Sequence, residues 1–220
     1  MSFCTGTGQV AEDGLLSQWR AYGRQGGYAI VFDTAELDKL LAAEKSLWHL
    51  DLFGGDVVYS DATDDQVRAE IGAELEAIKR SIGGWLTTGG RDEHLEEIYY
   101  PLIWCACRYK HWGFREEKEV RIVAIPPNAE ILAELAARGS PVKQKPLHHF
   151  TRGKRLVPTV HLFESLTHLP KRPLPIRRII VGPGDDREQR QLALSLLIRE
   201  LDLDIPITVS AIPYVDRSDD

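Results

Sequence analysis

The chain has 220 residues, of which 43% are hydrophobic and 27% are charged, and its formal net charge at pH 7 is −6. This composition is typical of a folded globular protein and excludes a disordered chain. The negative charge argues against a protein that coats nucleic acid by charge alone, because such a protein needs a broad cationic face. The longest apolar stretches, such as IYYPLIWCAC at residues 98–107, are too short to span a membrane.

The N-terminus and the cysteines suggest a compartment. The opening MSFCTGTGQ lacks the basic start and apolar core of a signal peptide. Cys105 and Cys107 are too close to suggest a structural disulfide, and with Cys4 the cysteines are odd in number, so reduced thiols are expected. We therefore expect a cytoplasmic protein with no membrane partner.

The first half of the chain mixes helical and strand patterns. The predicted elements are a strand at 27–33 (GYAIVFD), a helix at 35–45, a short strand at 57–60 (VVYS), a helix at 64–82 and a helix from about Asp92 to Arg108. Asp33 or Thr34 can cap the first helix, and Pro101 should bend or interrupt the last one.

The second half is richer in strands. The predicted elements are a strand at 119–125 (EVRIVAI), a helix near 129–137, a hairpin at 148–163 turning near Gly153, a strand at 176–183 (IRRIIVGP), a helix at 186–201 and a strand at 207–213 (ITVSAIP). We predict one α+β domain over 1–220, with an insertion or linker near 127–146. Its mixed or antiparallel central sheet, flanked by helices, should contain GYAIVFD, EVRIVAI, IRRIIVGP and ITVSAIP.

Standard catalytic motifs are absent from the sequence. It contains no P-loop, dinucleotide fingerprint, nucleophile elbow or zinc-protease motif. In VGPGDD at 181–186, Pro183 lacks an amide hydrogen and the two aspartates repel anions, so we interpret this segment as a turn and helix cap. His148, His149 and His161 lie on the predicted hairpin and give only weak support for a metal site. His148 and His149 should point to opposite faces of their strand, so they could not both bind one ion without a bulge. We therefore expect no metal site.

Two segments carry the candidate chemistry. Residues 19–23 (WRAYG) could form a pocket wall facing a ligand, or a helical turn and tight loop before a core strand. In the second segment, at 109–122, Glu117, Glu119 and Arg121 would share one face if they lay on a strand. That row could serve a site, or it could be a solvated charge ladder.

These residues and two later motifs resemble a bacterial family catalogued as domain of unknown function 2971. The matching positions are Ser17, Trp19, Arg20, Tyr22 and Gly23, then Tyr109, Lys110, Phe114, Glu117, Glu119 and Arg121, then IIVGP at 179–183 and Ser210 to Tyr214. Val120 stands where the family has Trp. Members of the family begin with a Tyr-His-Tyr-Thr segment upstream of the strand at which this chain starts, so we expect a short variant, a truncated gene model or a fragment.

The resemblance extends loosely to the ADP-ribosyltransferase plan, and NAD is the leading cofactor candidate. On this analogy, Arg20 binds phosphate, Trp19 or Tyr22 stacks on a base, and Glu117 or Glu119 is catalytic, with Arg121 beside the ligand. A guanidinium suits a pyrophosphate, and a carboxylate can stabilise developing positive charge. The implied partner is a small-molecule nucleotide.

The alternative is a non-catalytic module that recognises nucleic acid or protein, in phage defence or a toxin-antitoxin pair. Basic and aromatic residues could then grip phosphates and stack on bases. The residues concerned are Arg108, Lys110, His111, Trp112 and Arg115, and in a second group Lys143, Lys145, Arg152, Lys154 and Arg155. The sequence leaves open whether the protein is an enzyme.

Overall fold

The computed structural model describes residues 1–23, 26–48, 51–90, 93–139, 143–164 and 174–213, with the backbone alone described at 93–96. The chain forms two compact units. Unit 1 comprises Met1–Thr5 and Asp51–Ile125, and unit 2 comprises Gly6–Leu50 and Pro126–Asp220. The organisation as a single domain with a linker near 127–146 stays a prediction.

Helices and strands alternate irregularly along the described chain. In chain order they are β1 (Ser2–Cys4), α1 (Gln9–Asp13), α2 (Leu16–Tyr22), β2 (Tyr28–Phe32), α3 (Thr34–Leu47), β3 (Asp51–Asp56), β4 (Val58–Tyr59), α4 (Asp64–Thr87), α5 (Glu93–Arg108), β5 (Tyr109–Lys110), a 3₁₀ helix (Trp112–Glu117), β6 (Glu119–Ile125), α6 (Ala129–Ala137), β7 (Leu147–Arg152), β8 (Arg155–Val160), β9 (Ile176–Val181), α7 (Arg187–Glu200) and β10 (Ile207–Val209). The predicted α+β class is confirmed.

Unit 1 is built on a three-stranded antiparallel sheet. Its strand order is β1-β6-β3, so β6 lies in the centre. Beside it, β4 and β5 form a short parallel pair, and α4 packs along α5. Trp104 of α5 is buried, with its ring centroid 5.4 Å from that of Phe53 on β3. The sheet thus brings residues from distant parts of the chain to the two ends of β6.

Unit 2 is built on a mixed three-stranded sheet. Its strand order is β10-β9-β2, with β9 parallel to β10 and antiparallel to β2. Ile180 and Val181 of β9 are among the most deeply buried residues of the described chain. A separate hairpin joins β7 to β8 through a tight turn in which Gly153 has a φ of 62°. Glycine suits this turn because a positive φ carries no steric penalty there.

The structure confirms most predicted elements and corrects their assembly. All four strands expected in one central sheet do form. EVRIVAI, however, is β6 and pairs with β1 and β3, whereas the other three form the sheet of unit 2. The helix expected to end at Ile82 continues to Thr87 and packs along α5. Asp92 and Tyr214, which bounded a predicted helix and a motif, lie outside the described residues.

The strand DLFGGD (β3) was not predicted, because glycine and aspartate are poor strand formers. It forms because its backbone pairs with β6 along six consecutive positions, from Asp51 opposite Ile125 to Asp56 opposite Val120. Among the described helices, none combines the length and the apolar character that crossing a membrane requires.

Candidate functional site

The centre of the candidate site in unit 1 is the carboxylate of Glu119, the first residue of β6. Its side chain is only 5% exposed. Lys110 Nζ lies 2.9 Å from Oε2, and Arg121 donates from Nε to Oε1 at 2.9 Å and from Nη2 to Oε2 at 3.1 Å. The Ser2 hydroxyl, from the neighbouring strand β1, also donates to Oε1. Three side chains from three strands therefore hold one buried carboxylate.

These donors keep Glu119 ionised. Burial by itself would raise the pKa of this carboxyl, but hydrogen bonds from Arg121, Ser2 and Lys110 outweigh burial and lower the pKa to about 2. For Lys110, burial opposes the charge, yet the two carboxylates raise its pKa. Hydrogen bonding to Glu119 raises the pKa of Arg121 as well. At neutral pH the cluster is thus a fixed arrangement of full charges.

Glu117 reaches the same cluster by a different route from the one predicted. It is the last residue of the 3₁₀ helix. Lys118, which follows it, has a left-handed backbone with φ 41°, so Glu117 does not belong to the strand β6 that begins at Glu119. The prediction that Glu117 shares a strand face with Glu119 and Arg121 is therefore wrong for Glu117. Its carboxylate nevertheless accepts from Lys110 Nζ at 2.7 Å, so both glutamates converge on one ammonium group.

One exposed aromatic ring, that of Phe114, lies near this carboxylate pair, and two more exposed aromatic residues are close to it in sequence. Tyr109, Trp112 and Phe114, here called the aromatic rim, are each about half exposed. Lys110 Nζ lies 4.7 Å from the centroid of the Phe114 ring while it contacts both glutamates. The Arg115 guanidinium lies 5.5 Å from the centroid of Trp112 and forms an exposed ion pair with Asp61. Phe114 and Trp112 of the rim therefore offer flat apolar surfaces, each next to a cation.

Trp19, in unit 2, has a position suited to the core. Its ring is 5% exposed, and its Nε1 donates to the Asp13 carbonyl at 2.9 Å. A Cβ atom added at Gly14, Gly23 or Gly182 would lie 2.8 Å from an atom of this ring. Gly14, Gly23 and Gly182 thus leave room for the buried ring of Trp19.

The other two predicted binding residues of this segment lie at the surface. Arg20 is exposed, and Tyr22 is 75% exposed. These residues belong to unit 2, whereas Glu117, Glu119 and Arg121 belong to unit 1. Convergence of the two groups in one pocket stays a prediction.

Several basic residues proposed for nucleic-acid binding are already engaged inside the protein. Arg108 is buried and donates to the Asp56 and Glu70 carbonyls, each at 2.7 Å, and it also pairs with the Glu70 carboxylate. Lys145 is buried in an ion pair with Glu44. Neither cation is presented to an external phosphate.

Sequence reasoning missed two members of the Glu119 cluster. Ser2 lies opposite Arg121 in the β1–β6 register, and the Tyr59 hydroxyl accepts from the Glu119 amide at 3.0 Å. Nothing local in the sequence signals either contact. Lys110, by contrast, is part of the Tyr-Lys motif, and that motif could have directed attention to it.

Residues 18–122 match the model of a family described as a protein of unknown function, DUF2971. The matched range contains every predicted site residue, from Trp19 to Arg121. No curated protein and no solved structure matches this chain.

Proposed function

Because the chain belongs, through residues 18–122, to the DUF2971 family of proteins of unknown function, we propose its activity from chemistry alone. The proposed activity is nucleotide handling of the ADP-ribosyltransferase type, with NAD as the ligand. The observation that carries this proposal is the pair of glutamates that share Lys110, whose ammonium group also lies over the exposed ring of Phe114. Two carboxylates next to stacking surfaces suit a reaction that builds positive charge on a ribose.

The two glutamates take different parts in this proposal. Glu119 accepts from Ser2, Lys110 and Arg121, so it acts as a positioning residue that fixes Lys110 and the local charge. Glu117 is 13% exposed at its side chain and is held by the same lysine. We assign to Glu117 the contact with the oxocarbenium-like centre, because a carboxylate at that point stabilises developing positive charge.

Ligand binding is assigned to aromatic and basic groups at the surface. A ring of the aromatic rim stacks on adenine or nicotinamide, and Arg115, which lies over Trp112, pairs with phosphate. Arg121 has its guanidinium engaged by Glu119 and the Cys107 carbonyl, so it supports the site from behind. Arg20 and Tyr22 keep their predicted ligand-binding roles as part of the proposal.

The test is calorimetric titration of the full chain with NAD, followed by a glycohydrolase and labelled-transfer assay. Glu117→Gln should leave NAD affinity nearly unchanged and abolish most turnover, because the charge acts mainly on the transition state. Trp112→Ala should weaken binding by about 5-fold to 150-fold, the range expected for one lost stacking contact of about 1–3 kcal/mol.

Tyr99→Ala is the matched control, because Tyr99 is an equally exposed aromatic residue of unit 1 on α5. This variant should bind NAD like the wild type. A folded wild-type chain that does not bind NAD would refute the proposal.

A recognition role is the second candidate, and the stacking of Arg115 on exposed Trp112 favours it. Pairs of a cation and an aromatic ring of this kind bind single-stranded nucleic acid. The burial of Arg108 and Lys145 removes two of the cations on which that role was predicted. Anisotropy titration with a labelled single strand separates the roles, since recognition predicts strong salt dependence and no turnover of NAD.

A further inference from the structure

The β7–β8 hairpin brings two histidines to one face. In its register His148 lies opposite Thr159, and His149 lies opposite Pro158. His161 is two residues beyond Thr159, so it is the diagonal neighbour of His148 on the same face. The two imidazole rings stack with centroids 3.9 Å apart. His149 points to the other face, as the strand period requires.

A carboxylate joins these two rings. Glu164 Oε2 lies 3.3 Å from His148 Nε2 and 3.6 Å from His161 Nδ1. One ligand atom from each of the three residues lies within 4.8 Å of the others. Two imidazoles and one carboxylate are a ligand set that suits zinc and similar divalent transition metals.

A buried ion pair anchors the turn that carries Glu164. Phe163 has a left-handed backbone with φ 69°, a conformation that a bulky residue seldom adopts without support. Its amide donates to Glu44 Oε2 at 3.2 Å, and Glu44 is fully buried in an ion pair with Lys145. This buried pair therefore fixes the backbone next to Glu164, as outer partners do around metal ligands.

From this geometry we infer that His148, His161 and Glu164 form a binding site for a divalent transition metal of the zinc class. Binding requires the two stacked rings to rotate, so that each nitrogen lone pair faces the ion. Both histidine side chains are partly exposed, which leaves room for that rotation and for a water as fourth ligand.

The test is titration of the full chain with Zn²⁺ in competition with a chromogenic chelator. The wild type should bind one equivalent through this site. His148→Ala, His161→Ala and Glu164→Gln should each weaken that binding by at least about tenfold, since loss of even an outer partner costs about 10-fold to 100-fold. His149→Ala is the matched control, and its Zn²⁺ affinity should equal that of the wild type.

Co²⁺ distinguishes this site from the free thiols of Cys4, Cys105 and Cys107. Coordination by two imidazoles and a carboxylate should give visible d–d absorption without the near-ultraviolet charge-transfer band of a thiolate ligand. Zn²⁺ binding that survives in the His148→Ala, His161→Ala double variant, or that needs the thiols, would overturn the assignment. Equal losses in His149→Ala and His148→Ala would overturn it as well.

Discussion

Two buried carboxylates, one in each unit, are held in contrasting ways. Glu119 in unit 1 shares its charge among Ser2, Lys110 and Arg121, and the two cations remain partly exposed. In unit 2, Lys145 is the one cation that pairs with Glu44 among the described residues, and the side chains of both are at most 1% exposed. Burial lowers the pKa of Lys145, whereas the carboxylates raise that of Lys110.

The contrast shows what each arrangement can do. The cations that hold Glu119 are partly exposed, so one of them can turn to a ligand. The remaining partners would still hold the carboxylate. The stability of the fully buried pair of Glu44 and Lys145 depends on both members, since either charge alone would be buried without compensation. We therefore assign recognition and chemistry to the Glu119 cluster, and anchoring of the Phe163 turn to the Glu44 pair.

The largest expected effect on stability comes from breaking the buried ion pair of Glu44 and Lys145. Lys145→Met should lower the free energy of unfolding by about 3–5 kcal/mol, because the Glu44 carboxylate is left buried without a cation. Urea denaturation followed by tryptophan fluorescence measures this change. Glu44→Gln combined with Lys145→Met should recover most of the loss, because the amide still accepts from the Phe163 amide and carries no charge. A double variant as unstable as Lys145→Met alone would contradict the view that an uncompensated Glu44 charge causes the loss.

A smaller loss is expected in the shared cluster. Glu119→Gln should lower the free energy of unfolding at pH 7 by about 1–3 kcal/mol, because the amide leaves charged donors without their acceptor. Lys110 keeps Glu117 in this variant, and Arg121 keeps the Cys107 carbonyl. The same urea experiment applies, and a loss larger than that of Lys145→Met would reverse the predicted order.

The effect of Glu119→Gln should depend on pH. The pKa of Glu119 is lowered from 4.5 to about 2 in the folded protein, so its ionised form stabilises the fold above pH 4.5. That contribution is lost as pH falls from 4.5 toward 2, where the native carboxylate becomes protonated. The stability gap between wild type and variant should therefore shrink across this range. Urea midpoints at a series of pH values test this, and a constant gap would contradict it.

Removing one donor should cost less than removing the carboxylate. Ser2→Ala should lower the free energy of unfolding by about 0.5–1.5 kcal/mol, the net value of one hydrogen bond, because Arg121 and Lys110 still hold Glu119. Thermal denaturation resolves a change of this size. A loss as large as that of Glu119→Gln would mean that the charge is not shared as the geometry indicates.

The smallest effect is expected at the surface. The ion pair between Arg115 and Asp61 is exposed, so Arg115→Ala should change the free energy of unfolding by less than about 1 kcal/mol. Raising the salt concentration should remove what difference there is, because exposed charges are screened. A stability loss above that limit would mean that Arg115 supports the fold, which would weaken its assignment to ligand binding.

Features that depend on neighbouring residues were predictable. Asp33 caps α3 by accepting from the Glu36 amide at 3.1 Å, as its position before an amphipathic segment indicates. The hairpin turn at Gly153 and the limits of α6 were likewise predicted from short-range patterns. The His148 and His161 pair was within reach too, because a two-residue turn sets the register of the whole hairpin.

The tertiary structure alone decided how distant segments meet. Ser2 and Glu119 are 117 positions apart, and only the pairing of β1 with β6 brings the hydroxyl to the carboxylate. The sheet that EVRIVAI joins, the formation of DLFGGD as a strand and the burial of Trp19 depend on the same kind of long-range contact. The sequence by itself determined the local elements, because capping, turn and periodicity act over a few residues. Burial and strand pairing act between segments whose neighbours are set only when the chain has folded.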